Sequence, residues 1–265
     1  MLVTGSSGFL GRVTVPALVR CGPAAVAVWD RAVHGDLRDP TAVSAALSAL
    51  RPTVVLHLAW ESTAAAGYDR DARNADWCEV TRHLAAACWA RGVHIVGVGS
   101  GIEVTAGPSG RTPYALAKRA TLAGLRAGVP PRGWTWARPF WIFSAPDRRP
   151  RLLADALAAD RPFRPRTPDA RLDFVEVRDV AEALALLAMR APGGVVDIGG
   201  GRARTVAELL SAHGVVTAAA GPPLARGVRG PAVPMANIGR LLRWGWTPQW
   251  TTRLFSGGER LAEAR

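Results

Sequence analysis

The chain has 265 residues, 49% hydrophobic and 20% charged, with a net charge of +12. This is enough apolar material for a core, too little charge for a disordered tail, and too few glycines (28) and prolines (20) for low complexity. No run of about 18 apolar residues occurs, so no membrane-spanning helix is expected, and the length fits one large α/β domain or a domain with a small companion.

Along the first 140 residues, short β-branched apolar runs alternate with longer helical patterns. The start of the chain shows neither a basic n-region nor an apolar h-region, so a cytoplasmic protein without a secretory leader is expected. A strand stub at 2–4 opens into the glycine-rich segment 5–11 and a helix at 12–20, and a second strand falls at 25–29. Asp39 and Pro40 cap and start a helix through residue 50. A strand at 54–58, a helix at 76–91 ended by Gly92, a strand at 93–98, a helix at 114–127 and a strand at 135–138 follow. Such alternation implies right-handed βαβ units and a parallel sheet covered on both faces.

Pro and Arg dominate 144–172, and strand character returns at 173–177. A helix then runs to residue 189, and a short strand occupies 194–198. The last 65 residues are rich in Gly, Pro and Arg, with one clear helix at 206–213. The expected organisation is a sheet domain over 1–143, to which 173–200 returns, and a small irregular lobe from 144–172 and 201–265. The cysteines at 21, 78 and 88 form no CxxC or Cys/His pattern, so reduced thiols and no metal site are expected. The basic residues are almost all Arg and are spread along the chain, which reads as a solvated surface. That charge equally suits an anionic diphosphate ligand, and no nucleic-acid partner is expected.

Thr4-Gly5-Ser6-Ser7-Gly8-Phe9-Leu10-Gly11 follows a strand and opens a helix. Glycines at 5, 8 and 11 permit a tight turn and close backbone approach, and the helix N-terminus receives a pyrophosphate, with Ser7, Phe9 and Leu10 in the same turn. Alone, such a triplet is an ordinary glycine-rich turn. Asp30, 19 residues after Gly11 at the end of the second strand, makes it a dinucleotide site, because an acid there accepts hydrogen bonds from the adenosine ribose. Asp30 favours NAD(H), since a carboxylate repels a 2′-phosphate, whereas Arg31 could pair with that phosphate and leaves NADP(H) open. Asp36, with Leu37 beside it, could meet the adenine amino group or equally cap a helix.

The chain has two tyrosines and a single lysine, Lys118, which stands four residues after Tyr114 on the same helical face. An ammonium beside a phenol favours the phenolate, which lets Tyr114 donate or accept a proton near neutral pH. The compact lysine head also reaches a ribose hydroxyl as Arg would not. Ser100 ends a strand, where parallel-sheet sites gather, and its hydroxyl could bridge a substrate carbonyl and the tyrosine; alone, it is a turn residue.

TGxxGFLG, a serine after the strand at 93–98 and Tyr-x-x-x-Lys on the next helix together resemble the extended short-chain dehydrogenase/reductases. Within them the chain resembles the NAD-dependent epimerase/dehydratase branch that acts on nucleotide sugars. Further matches are Val55-Leu56-His57-Leu58-Ala59, Ala137-Arg138-Pro139-Phe140, Arg171-Leu172-Asp173-Phe174-Val175 with Asp179-Val180, Asp197-Ile198-Gly199, and the segment from Leu242 to Pro248. The resemblance implies a doubly wound Rossmann sheet with a small nucleotide-sugar-binding lobe, and a homodimer. It implies dinucleotide contacts from Gly5, Gly8, Gly11, Asp30, Asp36 and Ala59, with Leu58 and Trp60 beside it. Ser100, Tyr114 and Lys118 would be catalytic, Arg171 would contact the substrate diphosphate, and Arg229 would match a second such arginine.

Departures from the family pattern narrow the chemistry. The family's 4,6-dehydratases place Asp-Glu after the serine, and here those positions are Gly101 and Ile102, which have no side chain able to give or take a proton. Glu103 comes one residue late, and on a strand-like segment that shift points to the other face. The decarboxylases' Glu is absent too, so neither dehydration nor decarboxylation is expected. The segment from Ser100 to Tyr114 is short, and Trp141 replaces the usual asparagine, where it could stack on a sugar or simply pack. The Gly-Ser-Gly-Ile-Glu run and the Asn74…Trp77 pattern look most like the 4-ketoreductases of deoxysugar pathways. The expected activity is NAD(P)H-dependent reduction of a nucleotide-linked, dTDP-type 4-keto-6-deoxyhexose, with a 4-epimerase retaining NAD and a non-catalytic dinucleotide-binding regulator as rivals.

Overall fold

The computed structural model describes residues 1–60, 67–128, 133–144, 152–159, 162–165, 167–218 and 234–256. Leu2–Thr4 (β1) is buried throughout, and the chain turns from it into α1 (Phe9–Arg20). β2 (Ala27–Val28) pairs with one side of β1, and α2 (Arg31–His34) and α3 (Pro40–Leu50) lead to β3 (Val54–His57) on its other side. α4 (Asn74–Trp89), β4 (His94–Val98), α5 (Pro113–Ala127) and β5 (Trp134–Pro139) extend the sheet in sequence. After β6 (Trp141–Phe143), α6 (Leu152–Leu157), β7 (Arg171–Glu176) and α7 (Val177–Arg190), β8 (Gly194–Ile198) closes the far edge. β9 (Ala203–Thr205), α8 (Val206–Ala212), α9 (Gly239–Arg243) and α10 (Gln249–Phe255) follow.

The six-stranded sheet runs β2-β1-β3-β4-β5-β8, with every pair parallel. It is the doubly wound Rossmann arrangement. Successive residues divide between its two faces, as strand geometry requires. Val3, Leu56 and Val96 join the core under α1 and α7, while Leu2, Val55 and Ile95 join the core under α3, α4 and α5. Strand order reverses between β1 and β3, so the crevice beyond their carboxyl ends is where such a sheet takes ligands.

A second, three-stranded sheet is built from β6, β7 and β9. Phe143, Leu153, Phe174, Leu209 and Leu254 form its own apolar cluster with α6, α8 and α10. The C-terminal segments are fastened by buried carboxylates. Asp173 accepts from the backbone N–H of Gly200 (2.7 Å) and Ala236 (2.9 Å), and Asp197 pairs with Arg138 (2.7 Å) and accepts from Asn237 N–H (3.1 Å). Asp179 accepts from the N–H of Trp250 (3.0 Å) and Thr251 (2.7 Å) and from the Thr251 hydroxyl (2.6 Å), capping α10 from another helix.

Three local expectations change. The second strand contracts to two residues at a sheet edge, because Asp30 caps a helical turn directly after it. α1 begins at Phe9, three residues earlier than the sequence pattern suggests. The C-terminal region holds α9 and α10 besides α8; Leu241 and Trp246 pack into the core beneath α1 and α7. No helix among the described residues is long and apolar enough to cross a membrane.

Candidate active site

The β1–α1 turn is built for close approach. Gly5 has φ +69°, and a Cβ there would stand 2.6 Å from the Ala59 nitrogen; one on Gly11 would overlap the Gly5 carbonyl. Gly8, at the N-cap of α1, supplies no side-chain cap, and the first turn carries no acidic residue, so the positive end of the helix meets the crevice without a carboxylate of its own. A cradle that side chains would fill, at a helix end whose first turn carries no acid, fits the pyrophosphate of a dinucleotide.

Thr112 caps α5 by accepting from Ala115 N–H (3.2 Å), and Pro113 starts it. Tyr114 therefore lies in the first turn with Lys118 one turn on. Lys118 is buried, and its ammonium donates to the Val98 carbonyl (2.8 Å). The ammonium lies 3.2 Å from the centre of the Trp60 ring and 5.5 Å from that of Tyr114. Tyr114 meets Tyr68 edge-on at 5.1 Å and Trp60 at 6.3 Å. Burial pushes Lys118 well below the usual lysine range, and the Glu103 carboxylate opposes that shift.

Ser100 caps a 3-10 turn, Gly101–Val104, with its Oγ accepting from Ile102 N–H (3.3 Å), which leaves the hydroxyl proton to donate. Glu103 completes a capping box by accepting from Ser100 N–H (2.7 Å) and also takes the Trp136 indole N–H (3.1 Å). The segment is thus a turn, not strand-like as expected, and it ties the Glu103 carboxyl to backbone and indole. Burial raises its pKa against those hydrogen bonds. S-x-x-E is a capping-box pattern, the sequence signal that would have revealed this role.

His57, at the end of β3, was not singled out by sequence and lies beside the same crevice. Thr81 donates its hydroxyl to Trp77 O (2.8 Å), so His57 Nε2–H must donate to Thr81 Oγ1 (3.1 Å) and Nδ1 must accept from Thr4 Oγ1 (2.7 Å). Thr4 in turn accepts from Ala59 N–H (3.3 Å). Burial, with the Lys118 charge adding to it, holds the imidazole pKa at about 3. The ring is a neutral strut between β1, β3 and α4.

One cavity of about 630 Å³ joins these pieces. The glycine turn, including Ser7, Phe9 and Leu10, lines it together with Leu58, Ala59, Trp60, Ser100, Tyr114, Lys118 and Trp141. Its far end, toward the small sheet, is lined by Phe143, Leu172 and Phe174 among others. Asp30, Arg31, Asp36, Leu37 and Arg171 do not line it. Asp30 caps α2 through Ala32 N–H (2.8 Å), Arg31 pairs with Asp36 (2.8 Å), and Leu37 is buried in the core under α3. Arg171 is exposed and donates to the Ala203 carbonyl (2.8 Å). Arg229 lies outside the described residues. Trp77, which the sequence offered only within the Asn74…Trp77 pattern, lines the crevice, and so do two residues not expected there: Tyr68, in a 3-10 turn before α4, and Thr81 on α4, whose placement no local spacing encodes.

The model of the NAD dependent epimerase/dehydratase family matches residues 1–199. The dTDP-4-dehydrorhamnose reductase of Streptomyces griseus is 36% identical over 157 residues, 54% of this chain and 50% of that protein, so the match spans half of that relative. The structure of Thermus thermophilus UDP-glucose 4-epimerase in complex with NAD is similar over 99% of both chains, with 25% identity and a TM-score of 0.67. That of Bacillus anthracis dTDP-4-dehydrorhamnose reductase in complex with NADP is similar in fold over 96% of both chains, with 15% identity and a TM-score of 0.72.

Proposed function

The chain belongs to the NAD-dependent epimerase/dehydratase family, and from that premise we propose that it is an NAD(P)H-dependent 4-ketoreductase of a nucleotide-linked, dTDP-type 4-keto-6-deoxyhexose. The observation that carries this reading is that Ser100, Tyr114 and Lys118 open into the same cavity as the glycine turn. The 36% identical relative bearing a reductase name supports it.

A bound nicotinamide dinucleotide would supply the hydride for the sugar C4. Gly5, Gly8 and Gly11 would hold its pyrophosphate at the first turn of α1, with Ser7, Phe9, Leu10, Leu58 and Ala59 around it. Tyr114 donates its phenolic proton to the oxygen at C4, and the Ser100 hydroxyl donates a hydrogen bond to the same oxygen. Lys118 would hold the ribose and favours the phenolate left behind. Gly101 and Ile102 have no acidic or basic side chain, and Glu103 is engaged in its cap, so water loss from the sugar has no acid or base at this position. Trp141 stacks on the sugar, and Arg171 with Arg229 serves the diphosphate. At the adenosine end Asp30 favours NAD(H), and Arg31, paired with Asp36, would have to leave that partner to favour NADP(H). The reading includes a cytoplasmic homodimer.

A 4-epimerase using the same residues in both directions is the second reading, favoured by the 25% identity to a UDP-glucose 4-epimerase over 99% of both chains. Purified protein given a dTDP-4-keto-6-deoxyhexose should consume NAD(P)H in stoichiometric amounts and should arrive largely free of dinucleotide. Co-purifying NAD⁺ and interconversion of two sugar epimers without added cofactor would establish the epimerase instead.

A further inference from the structure

Lys118 is buried, and burial disfavours an ammonium unless something replaces its water. The Val98 carbonyl takes one of its three N–H bonds, at 2.8 Å. The Trp60 indole presents its face to the same ammonium, 3.2 Å from the ring centre, and an indole face is the apolar surface that best attracts a cation.

That indole is itself held. Its Nε1–H donates to the Asn74 Oδ1 at 2.8 Å, and the Asn74 amide donates to the carbonyls of Tyr68 and Asp71, both at 2.7 Å. Asn74 is 1% exposed at the start of α4, so its amide is fixed by the fold and not by solvent. Trp77 packs against the indole at 6.4 Å, and Tyr114 meets it edge-on. Trp60 is thus clamped between β3 and α4 with its face on the lysine.

We propose that Trp60 is the positioning residue for Lys118: Asn74 fixes the indole, and the indole face holds the ammonium charged and aimed beside Tyr114. The catalytic meaning of this role rests on the proposed reading of Tyr114 and Lys118, but the contact itself does not. Among the described residues, the other titratable groups facing the ammonium are His57 on β3, Cys78 on α4, Glu103 in the 3-10 turn and Tyr114 on α5, and none is altered in the test.

The chain has one lysine, so labelling lysine with ¹³C at the ε carbon gives a single resonance that reports on Lys118 without cofactor or substrate. In the wild type that resonance should be displaced upfield by the ring current of the indole. Trp60→Leu should abolish most of the displacement and lower the titration midpoint by about 0.5–1 pH unit, since a cation–π contact favours the charged form. Trp60→Phe, which keeps an aromatic face but not the anchor to Asn74, should fall between the two. A merely structural role would lower thermal stability without moving the midpoint.

An undisplaced wild-type resonance, or a Trp60→Leu spectrum and midpoint equal to wild type, overturns the proposal. If Trp60→Leu does not fold by circular dichroism, Trp60→Phe decides alone: a smaller displacement than wild type supports it, and an identical one defeats it. In turnover, the alkaline limb of the Trp60→Leu pH–kcat profile should fall by the same interval. A wild type that titrates as described yet oxidises no NAD(P)H with keto-sugar would defeat the proposed function and leave this contact standing.

Discussion

Asp179 and Lys118 are both buried and both ionisable, yet their surroundings differ in kind. Asp179 lies in the seam that fastens the C-terminal segment, where three donors from Trp250 and Thr251 meet its carboxylate. Asp173 and Asp197 in the same seam are likewise met by backbone N–H groups, and Asp197 by Arg138 as well. Lys118 lies at the cavity, with one carbonyl, aromatic faces and an open side. A buried charge enclosed by donors holds a fold together. One left partly solvated by rings, and facing a cavity, is available for chemistry.

The contrast is broken most sharply at Tyr114. Tyr114→Phe keeps the ring that meets Tyr68 and Trp60 and removes only the proton donor. It should lower kcat by about 10²–10⁴-fold, the usual contribution of a general acid, with dinucleotide affinity measured by fluorescence titration unchanged. Retention of more than about a tenth of kcat would remove Tyr114 from the chemistry.

Asp179→Ala should do the reverse. It strands the half-buried N–H of Trp250 and the buried N–H of Thr251, and at about 1–3 kcal/mol for each donor left unsatisfied the loss is about 2–4 kcal/mol. Urea denaturation should show that loss, while protein still folded at low temperature should keep its kcat. A variant of wild-type stability with poor turnover would place Asp179 on the catalytic side of the comparison.

These two regions are unequally legible in the sequence. The glycine turn and the Tyr114/Lys118 pair are local spacings on single elements, so the chain displays them directly. The alternation of strands and helices does the same for the sheet. Glu103 is misplaced by a reading of its segment as extended, although S-x-x-E at 100–103 encodes a cap. The helix α10 is hidden for a different reason. Its cap residue, Pro248, offers no side-chain acceptor, and Asp179, some 70 residues earlier, takes that role. Seven residues capped from elsewhere carry no readable period. The contact of Trp60 with Lys118 likewise joins the end of β3 to α5, and only packing reveals it.

Acid should act on the two regions in opposite senses. His57 is held at about 3 in the fold and titrates near 6.5 when unfolded. The unfolded chain therefore binds a proton that the native one refuses. Stability from this source is full above about pH 6.5 and is lost as pH falls toward 3, at up to about 1.4 kcal/mol per pH unit. Asp173 and Asp179 are raised by burial, so the native state takes protons before the unfolded one, and falling pH relieves their cost. His57→Gln, which keeps a donor and an acceptor but does not titrate, should flatten the decline in urea midpoint between pH 7 and pH 5. An unchanged decline would mean that His57 is not the group responsible.

The smallest effect is expected at Arg171, where the comparison is least settled because the residue belongs to neither region. It opens β7, is exposed, and spends one guanidinium nitrogen on the Ala203 carbonyl at 2.8 Å, while its neighbour Leu172 lines the cavity. A diphosphate contact from this position would be a solvent-screened one, worth up to about 1 kcal/mol, or about fivefold. Arg171→Ala should therefore raise the KM for the nucleotide sugar by up to about fivefold, with the KM for NAD(P)H and kcat held. If both KM values stay at wild type and only the thermal midpoint falls, the arginine serves the β7–β9 edge of the small sheet, and the diphosphate must be met by other residues.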